Sequence, residues 1–504
     1  MVRSTGSGQP ASLGIDLGTS SVKAIVTGLD GTVIGHAAVP YPVLAPRPGW
    51  SETDPEAWLS ATAAAVRTAV AEVGARPVAI GLSGQMHGLV LAKADGRPIR
   101  HAMLWSDARA VRELATYRNL PERVRAQLAN PLSPGMPGPM LAWLNTHEPD
   151  ALSATRWALQ PKDWLRAQLT GRFATEPSDA SATLLYNIPA DDWSTEIVEA
   201  LGLDPARLPP VLPDSAHPAG ELTSDAAHLL ELPPGLPVVA GAADTAAAAL
   251  GSGLAHSSAV QLTIGTGVQV VRSVPALPEH LPVTPNTHLF RAATPKGWYA
   301  MGAGLNGGST LAWVCRTLNA SWQELYDVAA RPPREHDPYF LPHLHGERTP
   351  HLDPDMRGAW IGLAPQHDRE HLLRAALEGV GFAARDILDA ILATGPPLSE
   401  LWLAGGGTTD PRWRQMLADA VARPLHPVDV AAASGLGAAI LAAQAAETAH
   451  GAAGRERHSA PVAPAVEPES TNSEIYSVRY TRYRDQARAL PRASAIMPGA
   501  QTGD

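Results

Sequence analysis

LGIDLGTSSVKAIV, residues 13–26, is the stretch on which the reading of this chain turns. Apolar Leu13, Ile15 and Leu17 alternate as on one face of a strand, Gly18, Thr19, Ser20 and Ser21 interrupt them, and Val22, Ala24 and Val26 resume the alternation. The pattern predicts a hairpin with a tip of small polar residues. Glycine lets the backbone approach a ligand closely, and hydroxyls and free amides at such a turn can surround phosphate oxygens without a cationic side chain. Asp16 is repelled by a bare anion, yet a carboxylate beside phosphate is favourable when a divalent cation lies between them, so Asp16 with Thr19 suggests a metal-bound nucleotide. A tight hairpin that binds nothing fits these residues equally well.

Working outward, 504 residues are more than one core usually supports, and two domains are expected. Lys plus Arg number 39 against 49 for Asp plus Glu, a formal charge of −10 without any basic run, which argues against nucleic acid and anionic membrane as partners. The single cysteine, Cys315, excludes an internal disulfide and fits a reducing, cytoplasmic setting. Residues 1–12, MVRSTGSGQPAS, lack the apolar core of a secretory signal and read as a loose tail. The uncharged stretches 245–271 and 430–446 are too rich in glycine and hydroxyls, or in alanine, to read as membrane spans, and they predict buried strands and helices.

After the hairpin, residues 31–39 read as a third strand, Asp54-Pro55-Glu56 opens a helix running to Val73, and residues 77–82 form a strand that delivers the loop SGQMHG at 83–88. LWSDAR at 104–109 follows at a helix entrance, and the proline- and glycine-rich residues 131–139 read as a loop. A strand over 237–241 ends at Asp244, before an alanine-rich helix. The pattern then restarts near 251–256. VQLTIGTGVQVV at 260–271 resembles the opening stretch: Ile264-Gly265-Thr266 repeats Leu17-Gly18-Thr19 in the same strand-turn-strand context. This suggests an internal duplication, two α/β halves each offering a Gly-Thr hairpin to one polyphosphate. A long helix over 370–393, a strand over 401–404 opening onto Gly405-Gly406-Gly407, and helices over 413–422 and from 434 follow. Residues 451–473 read as a linker, and 474–504 as a short helix, packed back through Tyr476, Tyr480 and Tyr483, with a tail.

Four segments in order, DLGTSSVK at 16–23, GQMHG at 84–88, GERTPH at 346–351, and GGG at 405–407 followed by WRQMLAD at 413–419, resemble the FGGY carbohydrate kinases. GAWIGL at 358–363, with His371-Leu372 and Ala375-Ala376-Leu377-Glu378 after it, fits the same family. The likeness runs from residue 13 to about 443 and is nearest to the members that phosphorylate xylulose. It implies an α/β chain of the actin-like sugar-kinase ATPase fold (ribonuclease H-like), with two duplicated domains around a central cleft: a sugar-binding domain over 13–254 and a nucleotide-binding domain over 255–450. It implies ATP and Mg2+, a ketopentose such as D-xylulose converted to its 5-phosphate, and possible homodimerisation. Residue by residue, Asp244 falls where the family has its catalytic base. Met86 and His87 match the sugar-binding pair, with Gln85, Trp105, Asp107, Arg109 and Thr245 around them. Asp16 would hold the metal, with Gly18, Thr19, Ser20 and Lys23 at the phosphates. Thr263, Gly265, Thr266, Gly267, Gly304, Gly405, Gly406, Gly407 and Asp410 would serve the nucleotide from the other half. Three departures stand out. Met140 lies in PGMPGPMLAW (134–143) where the family usually has a lysine, Thr245 replaces asparagine, and Gly267 replaces serine.

Plainer readings exist for several of these residues. Asp244 alone would be a helix cap, and His87 alone a packed histidine. Gly302, Gly304 and Gly307, with Glu324 downstream, imitate a dinucleotide fingerprint but read here as a turn near the adenine side of the cleft. His343, His345, His351 and Asp353 lack regular zinc-ligand spacing and read as a structural loop. No Walker A pattern is present. Two alternatives accompany the ketopentose kinase: a family member acting on ribulose, a polyol or another sugar, and a non-catalytic nucleotide-dependent binding protein, since chaperone and cytoskeletal ATPases share the fold.

Overall fold

The computed structural model describes residues 8–428, 432–449 and 463–489. Expectations for residues 1–7, 451–462 and 490–504 lie outside the described residues. The chain is mixed α/β, built on two large sheets.

The first sheet begins with β1 (Pro10–Leu17), β2 (Ser21–Gly28) and β3 (Val33–Pro40), a meander whose hairpin tip is the Gly-Thr-Ser stretch. Asp54 then caps α1 (Pro55–Val73), accepting from the Glu56 N–H at 3.1 Å, and Pro55 supplies a preset φ at the first helical position. β4 (Arg76–Gly84) returns parallel to β1, with Ser83 opposite Asp16. Helices α2 (Pro137–His147) and α3 (Pro161–Thr170) lead to β5 (Pro218–Glu221), β6 (Pro237–Val239) and β7 (Ala242–Ala243), and α4 (Asp244–Gly251) starts where β7 stops. The order is β5-β6-β4-β1-β2-β3, with β7 also parallel to β4 and Ala242 opposite Ser83.

The second sheet repeats this plan. β8 (Val260–Ile264) and β9 (Val268–Val274) form the second hairpin, β10 (His288–Arg291) and β11 (Trp298–Gly304) extend it, and α5 (Gly308–Thr317) and α6 (Arg369–Leu392) cover it. β12 (Leu401–Ala404) runs parallel to β8, α7 (Pro411–Val421) follows, and β13 (His426–Pro427) closes the order β10-β11-β9-β8-β12-β13. In both sheets the first hairpin strand is flanked by its antiparallel partner on one side and a parallel strand on the other. The register places Thr263 where the first sheet has Asp16: Asp16 faces Lys23 and Ser83, and Thr263 faces Gln269 and Ala404. The duplication suggested by two Gly-Thr turns extends to whole sheets.

The last two helices part company, one crossing to the first half and the other staying on the second. α8 (Ala433–Ala449) follows the second sheet in the chain but lies against β1, β4 and α4 of the first half. It comes so close that a Cβ on Gly437 would meet the Ala247 carbonyl at 1.9 Å, and one on Gly81 the Ala438 carbonyl at 1.9 Å. Gly437→Val is therefore expected to force α8 and α4 apart, costing about 1–3 kcal/mol or more by overpacking. Thermal unfolding checks this; a variant melting with the wild type would refute the close crossing. α9 (Ser470–Ala489) packs on α6 and α7. Its fully buried Arg479 donates from Nε to Glu378 at 3.0 Å and from Nη1 to the carbonyls of Arg334 and Asp337 at 3.0 and 2.9 Å.

Five local expectations need correction. Residues 131–139 are not all loop, because Pro137 opens α2 at the position where a missing N–H costs nothing, and Met140 is buried one turn in. The end of the supposed linker is paired, with Val466 and Leu425 exchanging backbone bonds of 2.7 and 3.1 Å, and α9 is a full 20 residues with Val478 facing solvent. Gly302 and Gly304 lie within strand β11, not in a turn. The strand of 237–241 stops at Val239.

Candidate active site

β1, β4 and β7 run parallel and end together, so Asp16, the loop after Gly84, and Asp244 converge at the strands' carboxyl ends, where ligands of such sheets tend to bind. Asp16 is 5% exposed. Its Oδ1 has no hydrogen-bond partner, and its nearest cation is Lys23 Nζ, 3.9 Å from Oδ2. Burial raises its pKa, with Lys23 opposing.

Asp244 stands at the first turn of α4, half-buried. Burial, and secondly the charge of Asp16, push its pKa up to about 7. Thr245 Oγ1 donates to Asp244 Oδ1 at 3.2 Å, and Gln269 Nε2 on β9 donates to Thr245 Oγ1 at 3.3 Å. The second hairpin thus reaches across to the carboxylate, and threonine at 245 relays the contact.

The first hairpin tip is clipped from three directions. Gly18 N–H donates to Ser21 O at 3.1 Å, the Tyr41 hydroxyl donates to Gly18 O, and Trp105 Nε1–H donates to Thr19 Oγ1 at 3.0 Å. Ser20 at the tip is exposed. On the other side of Asp244 the loop after β4 carries the expected trio. Gln85 N–H bonds Leu17 O at 2.8 Å while its Oε1 is buried without a partner. The Met86 sulfur lies 3.6 Å from the Tyr299 hydroxyl. His87 takes a left-handed φ of 68°, its N–H held by Gln160 Oε1 at 3.1 Å and its Nδ1 2.7 Å from Ala182 O. A carbonyl only accepts, so Nδ1 carries the proton. Burial holds the ring's pKa down to about 4, which leaves Nε2 a neutral acceptor.

Asp107 and Arg109 sit differently from a binding wall. Both side chains are almost wholly buried, and the guanidinium bonds Asp107 at 2.7 and 2.9 Å and lies 3.5 Å above the Trp50 ring. Asp107 Oδ2 also accepts the Ser51 N–H at 2.7 Å. Together they form a strut for the loop that presents Trp105.

In the second half, Gly265 and Gly267 close their turn by a 2.9 Å backbone bond, Thr266 O accepts from Ser309 Oγ at 2.9 Å, and Thr263 Oγ1 accepts from Gln261 at 3.1 Å. Gly405 adopts φ 101°, and a Cβ there would meet Ile264 O at 2.4 Å; Gly406 and Gly407 follow in a single turn of 3-10 helix. Asp410 caps α7 and pairs with Arg412 at 2.7 Å. Gly304 gives room to Ile387 of α6, where a Cβ would come within 2.6 Å. His343 and His351 have separate carboxylate partners, Glu347 and Asp386, each at 3.2 Å.

Several residues escaped the sequence reading. Tyr41 and Gln269 carry no pattern that marks them. A buried ionic cluster does have a signal, charges spaced through 162–179 in an otherwise apolar stretch. Lys162 Nζ lies 2.8 Å from Asp163, 3.2 Å from Asp179 and 3.6 Å from Glu176, and Arg166 lies 2.8 Å from Asp163, all fully buried. Glu176 accepts from Ser178 Oγ at 2.7 Å, and that oxygen accepts the Ala243 N–H at 2.9 Å, one residue before Asp244. The cluster therefore braces the backbone from which Asp244 projects.

With this geometry in hand, comparison with known proteins is direct. Residues 11–251 match the N-terminal domain of the FGGY family of carbohydrate kinases, and residues 260–446 match its C-terminal domain. The chain is 36% identical over 443 residues to the xylulose kinase of Escherichia coli K12, covering 87% of this chain and 90% of that protein. It is 37% identical over 413 residues to the xylulose kinase of Klebsiella pneumoniae, covering 81% and 84%. A solved structure described as a xyloylose kinase from Brucella ovis superposes with a TM-score of 0.88 at 32% identity, covering 97% of this chain and all of that one. Among the described residues no helix is long and apolar enough to cross a membrane.

Proposed function

This chain belongs to the FGGY family of carbohydrate kinases and has the sugar-kinase ATPase fold, and from that membership we propose that it phosphorylates a ketopentose, D-xylulose, on its 5-hydroxyl at the expense of ATP, with Asp244 as general base. The observation that carries the reading is the convergence of Asp244 with Asp16 at the mouth of three parallel strands, its pKa pushed up to about 7. A general base works best when its pKa lies near the working pH.

The residues divide the work. His87 Nε2 and the free Gln85 Oε1 accept hydroxyl protons of the sugar, and Met86 packs against it. Asp244 takes the proton of the attacking hydroxyl as the new O–P bond forms. The P–O bond to the leaving ADP breaks, and its electron pair leaves on the β-phosphate. The N–H groups of Gly18 and Gly265 close their own turns, and the amides and hydroxyls of Thr19 and Ser20 face the phosphates from one side, those of Thr266 and Gly267 from the other. The buried, unpartnered Oδ1 of Asp16 fits a divalent cation such as Mg2+, which when bound supplies charge neutralisation of the polyphosphate. Thr245 keeps Asp244 aimed, through its link to Gln269.

An ADP-release assay across D-xylulose, D- and L-ribulose, glycerol, pentitols and hexoses tests the substrate. Turnover is expected to be highest on D-xylulose. Activity on a polyol or hexose with none on xylulose would replace the ketopentose by another sugar, and nucleotide turnover that ignores every sugar would remove the kinase reading from this site.

A further inference from the structure

One cation in the cleft is so far unused. Arg348 sits in the loop between the second lobe's Pro342 and Pro354, and that loop is firmly anchored: Thr349 exchanges bonds with Ala303 of β11 at 3.0 and 3.2 Å. Its neighbour Glu347 would be the natural counter-ion, but that carboxylate is occupied. Oε1 accepts the N–H groups of Leu305 and Arg348 at 3.0 and 2.9 Å, and Oε2 accepts from Asn306 at 3.0 Å and faces His343 at 3.2 Å. Among the described residues no carboxylate oxygen lies within 4 Å of the Arg348 guanidinium, and the side chain is half-buried. Its close partner is the indole of Trp105, whose ring centroid lies 5.5 Å from Cζ. Trp105 belongs to the other half of the molecule and donates to Thr19 at the tip of the first hairpin. The positive charge is also felt at His87 and His288, where it adds to burial in lowering both pKa values. Arg348 therefore stands where the phosphate hairpin and the sugar loop meet.

The charge of Glu347 is felt at Arg348, but the oxygens of that carboxylate are engaged by other donors, so the half-buried guanidinium keeps its own donors for an anion that arrives. The sugar is neutral. The anion that this reaction brings between Thr19 and His87 is the phosphoryl group, first on the nucleotide and then on the sugar. We propose that Arg348 is a catalytic residue: carried by the second lobe onto Trp105, its guanidinium binds the oxygens of the phosphoryl group during transfer and of the sugar phosphate formed. The inference rests on the kinase reading of the site. A planar fork of donors matches phosphate oxygens bidentately, and the guanidinium keeps its charge and makes no covalent bond. The O–P bond forms to the sugar, the proton goes to Asp244, and the leaving electron pair stays on ADP.

The test uses the full chain with Arg348→Met, Arg348→Lys and Arg348→Gln, and whichever sugar the wild type phosphorylates. Steady-state kinetics are combined with calorimetric binding of that sugar and, separately, of its phosphate. Removing one preorganised donor of this kind lowers kcat by about 100- to 1,000-fold. Arg348→Met is expected to show that loss, to bind the sugar within about threefold of wild type, and to bind the sugar phosphate at least about thirtyfold more weakly, with Arg348→Lys recovering part of both losses. Equal weakening of sugar and sugar phosphate would overturn the proposal in favour of a sugar-hydroxyl contact, as would a kcat within about threefold of wild type. If Arg348→Met does not fold, the Lys and Gln variants decide by the same two binding ratios. Wild-type protein that phosphorylates no sugar would overturn the kinase reading itself, and wild-type activity on an unexpected sugar would leave the Arg348 test intact.

Discussion

Asp244→Asn is expected to lower kcat by about 1,000- to 10,000-fold while leaving ATP and ADP affinity within a few-fold of wild type, because a positioned base acts on the transition state and not on nucleotide binding. In the wild type, kcat/KM should rise about tenfold per pH unit up to about 7 and then level off, following ionisation of the Asp244 carboxyl. The same shift has a stability consequence of opposite sense. A carboxyl whose folded pKa is about 7, against 3.8 in its unperturbed form, binds a proton in the folded state that the unfolded chain has already released. Stability therefore falls as pH rises from about 4 to 7, and the penalty persists above that window. Asp244→Asn removes it, so the inactive variant should melt higher than wild type at pH 8, by a few degrees, and should lose that advantage near pH 4. Thermal scans of the apoprotein at both values decide it. An inactive variant with no gain at pH 8 would mean that the carboxylate is not held at a cost, and a variant with near-normal turnover would dismiss Asp244 as the base.

Lys162→Met is expected to produce the largest loss of stability among the substitutions considered. Lys162 is fully buried and lies within 4 Å of three carboxylates, with Arg166 the other cation among them. Removing one partner of a buried ionic group costs about 3–5 kcal/mol, because the remaining charges stay buried and uncompensated. The pH dependence follows. Asp179 is already raised well above its usual range by burial, and Asp163 is held below its own by Lys162 and Arg166. Without Lys162 both folded-state pKa values climb, that of Asp179 further above its unfolded value and that of Asp163 upward from below its own. The folded state then takes up protons, and stability declines with rising pH. Lys162→Met should therefore be far less stable than wild type at pH 8 and recover part of the deficit at pH 5.5. Activity should fall with it, since the cluster reaches the Ala243 N–H through Glu176 and Ser178. Equal destabilisation at both pH values would show that lost packing of the lysine stem, and not charge, sets the cost.

The two hairpins were legible because strand alternation and a Gly-Thr interruption are purely local patterns, and α1 because its cap and its first-turn proline are local too. Pro137 shows the limit of that method: proline clusters look like loops, yet a proline at a helix start is favourable, and only the neighbouring elements decide which holds. Arg479 sits in a helix read as packing through its tyrosines, and it is buried beside them because α6 presents Glu378 to it across the fold. At the site, Asp244 by itself resembled any helix cap. Its position beyond β7 beside Asp16, set by the pairing of both Asp16 and Ala242 with Ser83, makes it distinct. Gln269 and Arg348 lie in stretches singled out from the sequence, yet their individual roles were hidden for the same reason. Each matters for what lies opposite it in space, Thr245 in one case and Trp105 in the other, and neither neighbour is near in sequence. The buried cluster at 162–179 was missed because charges at helical spacing usually face water.

The central claim is that Asp244 and the two phosphate hairpins transfer the terminal phosphoryl group of ATP to a ketopentose. The most direct measurement is to incubate wild-type and Asp244→Asn protein with ATP labelled on the γ-phosphate and D-xylulose, then identify the labelled product by mass and by 31P NMR. The account predicts label in D-xylulose 5-phosphate with wild type and almost none with the variant. Label appearing only as free phosphate in both, or in the sugar phosphate at equal rates in both, would contradict it.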